Sequence, residues 1–377
     1  MQNLKMKIFF VSIYLLFFTS CTLNYYGAES RKIYKKIGCT SLTILQKSTP
    51  DFVVRNYEEL NLAINNSLPY QTIYIKDTSI IDLTGKPPIQ LKRGVCLVSG
   101  NSCKNRGALL FTKDLGHSPA IQCKGDDIKI VGIRLMGPDT SRRIQQMYEL
   151  IAKNQYYSLP YSHGIRCIGY DKLLVQNCEL LGWSYAAIDM ESGGGNIIRN
   201  NYIHHNQRLG LGYGVALHDA YAIIEENFFN WNRHSIAGSG RLRTGYEVKN
   251  NIFGERSLNY VIDMHGIYDE RVNDTIGGTE VYIHHNTFYT KEDGAIVVHG
   301  DPIKPISIQS NIFLGHDSFD KAFTKGLYFR NAKIQSKNNL FANKKSIERR
   351  ISSSEIILQI ELAERRIKLF KPKYPLN

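Results

Sequence analysis

The sequence predicts an all-β chain wound as a parallel β-solenoid, with a helix over each end. Two repeated patterns and their spacing predict it. Six segments, "LLVQNCEL", "IIRNNYIH", "IIEENFFN", "YEVKNNIF", "VYIHHNTF" and "ISIQSNIF", share one layout. In five of them asparagine follows an aliphatic residue three positions later: Ile198/Asn201, Ile224/Asn227, Val248/Asn251, Ile283/Asn286 and Ile308/Asn311. Val175/Cys178 fills the slot in the first, and Asn339 continues the series after a one-residue insertion. Upstream of each lies a second set: "AIQCKG", "GIRCIG", "AIDMES", "GVALHD", "SIAGSG", "VIDMHG", "AIVVHG" and "GLYFRN". Their first aliphatic residues are Ile121, Ile165, Ile188, Val215, Ile236, Ile262, Ile296 and Leu327, and after the first long gap they recur every 21 to 34 residues or so. Such a unit is too small to bury a core alone, so units must stack, one pair of short strands per repeat. An asparagine at one place in every coil can bond its neighbours above and below, satisfying turn backbone groups that apolar residues cannot.

The elements follow in order. Lys5 and Lys7 precede the apolar run Ile8–Phe18, which is too short for a spanning helix and has the layout of a secretory signal. Residues 1–20 are read as that signal and 21–50 as a tether. "FVVRNYEELNLAINN" reads as a strand and then an amphipathic cap helix, with Leu60 and Ile64 one turn apart. "TIYI", "GVCLVSG", "GALLF" and "DDIKIVGIRLMGP" supply the next strands, and Thr140–Tyr161 interrupts them with a polar, partly helical loop that overhangs one face. The solenoid takes 51–342. "SSSEIILQIELAERRIK" gives a capped helix, within 343–377, over the open end.

Charge and cysteines narrow the classes. The net charge of +13 is partly gathered at Arg31–Lys36, Lys344–Arg350 and Arg365–Lys373, so no single basic groove is implied. No helix-turn-helix, zinc-finger or RNA-binding signature occurs, and nucleic acid is not expected as a partner. There is no CxxC and no zinc spacing among the cysteines. Cys123 and Cys167 fall in one inward column as a core pair open to disulfide formation, without a catalytic role. The "IHHN" pairs His204/His205 and His284/His285 flank the asparagine slot inconsistently and are read as surface or turn residues.

Two resemblances extend this. "FTSC", Phe18 to Cys21, is similar to the lipobox of bacterial lipoproteins, which implies a lipid on Cys21; Thr22 after it implies the outer membrane or cell surface of a bacterial envelope. From Phe52 to Phe341 the repeats resemble the single-stranded right-handed parallel β-helix of the pectate-lyase-like superfamily. That resemblance implies a monomer that binds an acidic polysaccharide along the face made by the upstream strands. Its members include lyases, epimerases and glycoside hydrolases of uronic-acid polymers; fold alone does not choose among them, and a non-catalytic glycan-binding surface remains a separate class.

Taking the first aliphatic residue of each upstream strand as position zero, positions zero and two face the core, and one and three face out. Position one reads Gln122, Arg166, Asp189, Ala216, Ala237, Asp263, Val297, Tyr328; position three reads Lys124, Ile168, Glu191, His218, Ser239, His265, His299, Arg330. A polar wall results, with a dip at Ala216, Ala237 and Ser239. Eliminating a uronate needs its carboxylate neutralised, a base for the C5 proton and an acid for the leaving oxygen. His265 beside Asp263 is the expected base, with His218 or His299 as a second proton carrier. Arg241 and Arg243 offer bidentate positive charge, and Asp189, Glu191 and His234 complete the expected binding surface. A calcium ion on Asp189, Glu191, Asp219 or Asp263 could replace the arginines. His218, His265 and His299 could instead take zinc, although their column spacing is uneven.

Overall fold

A computed structural model describes residues 49–100, 106–155, 157–291 and 294–341. The signal, Cys21, most of the tether and the C-terminal helix lie outside the described residues. Among these residues, no helix is long and apolar enough to cross a membrane.

Phe52–Val54 opens the first coil, and the helix Tyr57–Asn66 covers the end of the stack with Leu60, Ala63 and Ile64 buried. Asn56 caps it, its Oδ1 accepting from the Glu59 amide at 2.8 Å while Glu59 bonds back to the Arg55 amide. All pairings in the two large sheets, of eighteen and ten strands, are parallel. Each full coil carries three strands rather than the expected pair, because the segment after the asparagine corner, such as Glu179–Leu181 or Tyr202–His204, joins the ten-stranded sheet.

The asparagine series forms the expected ladder. Asn201 donates its backbone N–H and its side-chain amide to Asn227 Oδ1 at 2.9 and 3.0 Å, while Asn227 Nδ2 donates to the Ile198 carbonyl at 2.8 Å. The same pattern runs through Asn251, Asn286, Asn311 and Asn339. The residue before each has positive φ, so the corner exposes amides that only a side-chain oxygen at that height can accept. Phe229, Phe253, Phe288, Phe313 and Phe341 stack beside the ladder with centroids 4.7–5.3 Å apart. A second, shorter ladder was not expected: Asn206 Oδ1 accepts from the Trp183 amide, and Asn206 donates to Asn232 Oδ1.

Two local expectations change. The last upstream strand is Phe323–Lys325, not "GLYFRN": Phe323 pairs with Ile296, and Leu327 is 82% exposed. Tyr328 and Arg330 therefore leave the outward columns. The short helix Phe319–Ala322 delivers Phe323 four residues early, and the two apolar candidates were indistinguishable by spacing. The histidine pairs are corner residues, as expected, but His204 and His205 are buried rather than at the surface. Each second histidine, His205 and His285, has positive φ ahead of a ladder asparagine, one on each ladder. Cys123 and Cys167 stack in the core with free thiols.

Candidate active site

The upstream strands keep the expected register. Asp189 pairs with Ala216, Ala216 with Ala237, Ala237 with Asp263 and Asp263 with Val297, and Glu191 pairs with His218. Position one is thus a continuous outward column. Its acids are not solvated, however: Asp189 is 2% and Asp263 3% exposed.

What covers them comes from a column the sequence reading did not assemble. Position minus two reads His163, Ala186, Tyr213, His234 and Tyr260, and the first four pair in register. Even spacing from position zero would send them inward. Instead the strand bulges between. The amides of Ser235 and Ile236 both reach the Val261 carbonyl, and those of Val261 and Ile262 both reach Ala295. An extra residue of this kind reverses the alternation. Small residues hold the crowded position: a Cβ on Gly164 would lie 2.5 Å from the Ala187 carbonyl oxygen, and one on Gly214 2.5 Å from that of Ser235.

Two carboxylate centres result. His163 Nε2 stands 3.3 Å from Asp189 Oδ2, Arg166 Nε 3.1 Å from the same oxygen, and His218 Nε2 3.5 Å from Oδ1. The Tyr185 hydroxyl lies 3.4 Å from His218 Nε2. Three rungs along, about 14 Å at the usual strand spacing, Asp263 is approached by His234 and His265 at Oδ2 (3.3 and 3.4 Å) and by His299 at Oδ1 (3.5 Å). Burial raises the Asp263 carboxyl to about 6, against the pull of His299 and Arg233. Burial, helped by Arg166 and His218, lowers His163 to about 3. His265 falls to about 4 by burial, with Arg233 and His218 adding to it, although 46% of its side chain stays open to solvent. Burial pushes the Tyr185 phenol well above its ordinary value.

The loop expected to overhang this face does so. Tyr161 packs on His163 and Tyr185 at 5.7 and 5.6 Å, with Tyr157 behind it. The loop is braced from below: buried Arg208 donates to Asp139 Oδ2 at 2.9 and 2.6 Å and to the Pro160 carbonyl at 2.6 Å.

Of the residues named from sequence, His218, Asp263, His265 and His299 do share one face, and His218 lies near enough to His265 to shift it electrostatically. Asp189 and Glu191 share it, both engaged by Arg166. His234 belongs to it too, as a buried partner of Asp263 rather than a substrate contact. Arg241 and Arg243 do not reach either centre. Arg241 lies 3.9 Å from Asp219, Arg243 bonds Asp219 through its amide, and Arg271 holds that carboxylate at 2.8 Å. The cations beside the centres are Arg166 and Arg233 instead. The four acids considered for calcium are dispersed among arginine and imidazole partners, and among the described residues no group of three or more His, Cys, Asp or Glu converges on a metal position. A cavity of about 430 Å³ lies elsewhere, over the ten-stranded sheet between Phe111, Met136, Glu179 and His204. The two centres lie instead on the outward wall of the eighteen-stranded sheet.

No curated protein matches the chain by sequence. Among solved structures it is similar to an alginate lyase from Paenibacillus sp. str. FPU-7, with 14% identity, 77% of this chain and 98% of that chain covered, and a TM-score of 0.51. It is also similar to an endo-xylogalacturonan hydrolase from Aspergillus tubingensis, with 12% identity, 76% and 89% covered, and a TM-score of 0.47. A family 28 exopolygalacturonase from Yersinia enterocolitica gives 11% identity, 84% and 78% covered, and a TM-score of 0.41. The model of the right handed beta helix region matches residues 120–358. With more than half of its length matched and the sheets parallel throughout the coil, the chain belongs to the right-handed β-helix family.

Proposed function

We propose that this protein is an exported, lipid-anchored enzyme that transfers protons at C5 of an acidic polysaccharide, as a lyase or epimerase. One observation carries the reading: His218, His265 and His299, all partly exposed, flank a floor of Ala216 and Ala237 between two buried carboxylates. A sugar chain laid along the wall meets imidazoles on both sides of that floor. His265, kept neutral at pH 7, takes the C5 proton. His299, whose ring centroid lies 5.8 Å from that of His265, returns one to the leaving oxygen or the opposite face. Arg233 and Arg166 supply the positive charge that an enolate-like uronate needs. The solved alginate lyase that shares this fold is named for an acidic polysaccharide, which supports the substrate class.

Hydrolysis fits less well. Its two carboxyl groups stand about 5–9.5 Å apart, whereas Asp189 and Asp263 are three rungs apart and Glu191 shares its arginine with Asp189. The test is a screen of acidic polysaccharides followed by the absorbance of unsaturated uronates, and by proton exchange at C5 for epimerisation. Wild type turns over at least one polymer and His265→Ala does not. A wild type inert on all of them, in both assays, removes the proposal.

A further inference from the structure

His163 and His234 occupy the same column, and each brings Nε2 to 3.3 Å from a buried carboxylate, Asp189 and Asp263 respectively. Their other ring nitrogens meet different groups. His163 Nδ1 lies 2.6 Å from Ser118 Oγ, and a hydroxyl can donate as well as accept. A neutral His163 can therefore accept at Nδ1 and keep its one proton on Nε2, facing Asp189. His234 Nδ1 lies 2.6 Å from the Tyr260 carbonyl oxygen, which only accepts. Its proton must sit on Nδ1, so in neutral His234 the Nε2 lone pair faces the oxygen of Asp263.

Two acceptors at 3.3 Å repel. Both residues are almost fully buried, and neither His234 Nε2 nor Asp263 Oδ1 has a hydrogen-bond partner. Leaving such atoms buried and unpaired is unfavourable. One added proton on Asp263 turns the repulsive contact into an O–H donor and an N acceptor. We infer that Asp263 is a protonated carboxylic acid donating to His234 Nε2, and that this dyad is the proton source for His299. The second half rests on the proton-transfer reading above; the first does not.

The surroundings agree. Burial both raises Asp263, to about 6, and lowers His234 well below the ordinary imidazole value, so the proton rests on oxygen rather than nitrogen. The groups facing the dyad are His265 and His299 from its own and the next rung, Arg233 just before the strand of His234, and the phenols of Tyr213, stacked on His234, and Tyr246. When His299 has given up its proton, the Asp263 O–H bond breaks and an N–H bond forms on His299 Nε2, which faces the carboxyl at 3.5 Å. Asp263 is left as a carboxylate beside the new N–H. His234 is a positioning residue: it acts through Asp263.

The experiment uses the full chain at about pH 5.5, where ordinary aspartates are ionised. Infrared difference spectra should show a carboxylic-acid C=O band in wild type that disappears in Asp263→Asn. It should also disappear in His234→Gln, whose amide N–H donates to Asp263 permanently and holds it ionised. Nitrogen-15 histidine spectra should show His234 with a bare Nε2, assigned by its loss in His234→Gln. On an active polymer, His234→Gln should move the alkaline limb of kcat to lower pH with KM unchanged. An imidazolium His234 with no acid band overturns the proposal, and so does an ionised Asp263 beside a neutral His234, the result expected of a bridging water. Circular dichroism confirms that each variant is folded. If no polymer is turned over but the band is present, the proton-transfer reading fails and the dyad stands.

Discussion

Asp189 and Asp263 stand in one column of the sheet, linked in register through Ala216 and Ala237, and each is buried beneath imidazoles. The repetition is chemical as well as geometric: His163 and His234, three coils apart, approach the two carboxylates from the same place in the coil before each. The two centres differ in the partner behind each histidine, a hydroxyl in one and a carbonyl in the other.

His265→Ala should lower turnover by about 10²–10⁴-fold, the range for losing a positioned acid or base. Its ring is half exposed, so the unfolding free energy should change by less than about 0.5 kcal/mol. Denaturant unfolding beside a rate assay checks both. A large stability loss would mean that this side chain faces the core.

Acid should weaken the fold through His163. Its folded pKa, near 3, lies below the unfolded value of about 6.5, so the unfolded chain binds the extra proton. The contribution is complete above pH 6.5 and is lost as pH falls toward 3, at about 1.4 kcal/mol per pH unit. His163→Gln should flatten the slope of stability against pH by one proton over that range. Asp263 works with the opposite sign, its contribution fading as pH rises from about 4 to about 6; His234→Gln removes this together with the depressed imidazole of His234, so the two should nearly cancel between about pH 4 and 6 and the slope should flatten only below that.

Asn227→Ala should cost about 1–3 kcal/mol, because it strands the Asn201 amide and the Ile198 carbonyl in a site with no water access. Asn339→Ala, at the partly buried end of the ladder, should cost less. Chemical denaturation of the pair gives the comparison.

Arg208→Met should destabilise by about 3–5 kcal/mol, since Asp139 would remain as a buried unpaired charge. Replacing both, Arg208→Met with Asp139→Leu, should recover part of that loss. Proteolysis within 140–161 should rise in the single variant and report the freed loop.

Cys21→Ala should move the protein from the membrane to the soluble fraction after export, measured by fractionation. A wild type that is already soluble after export removes the lipid anchor.

The sequence was most informative where one residue type had one physical use. The ladder asparagines and the inward aliphatic residues recur because the corner and the core accept little else, and Asp263 with His265 followed from simple alternation. His163, Tyr213 and Arg233 were missed for a local reason. Alternation holds only along an unbroken strand, and the bulge at Gly164, Gly214 and Ser235 reverses it two residues before the apolar marker. Aligning position minus two across coils would have shown His163, Tyr213, His234 and Tyr260 together. Arg241 and Arg243 failed for another reason: they lie in the turn after the strand, where column position says nothing about reach, and Asp219 is nearer.

The asparagine ladder also sets which parts of this molecule can vary. Asn227 and Asn251 are 24 residues apart and Asn251 and Asn286 are 35 apart, yet both pairs make the same bonds at the same height. The longer coil places its surplus in the hairpin Ile267–Asp269 with Asp274–Ile276, beyond the outward wall. The ladder works as an index that resets every turn, so an insertion in one loop passes no displacement to the next coil. Loops bordering the wall can therefore be lengthened or exchanged while the spacing of the two carboxylates stays fixed.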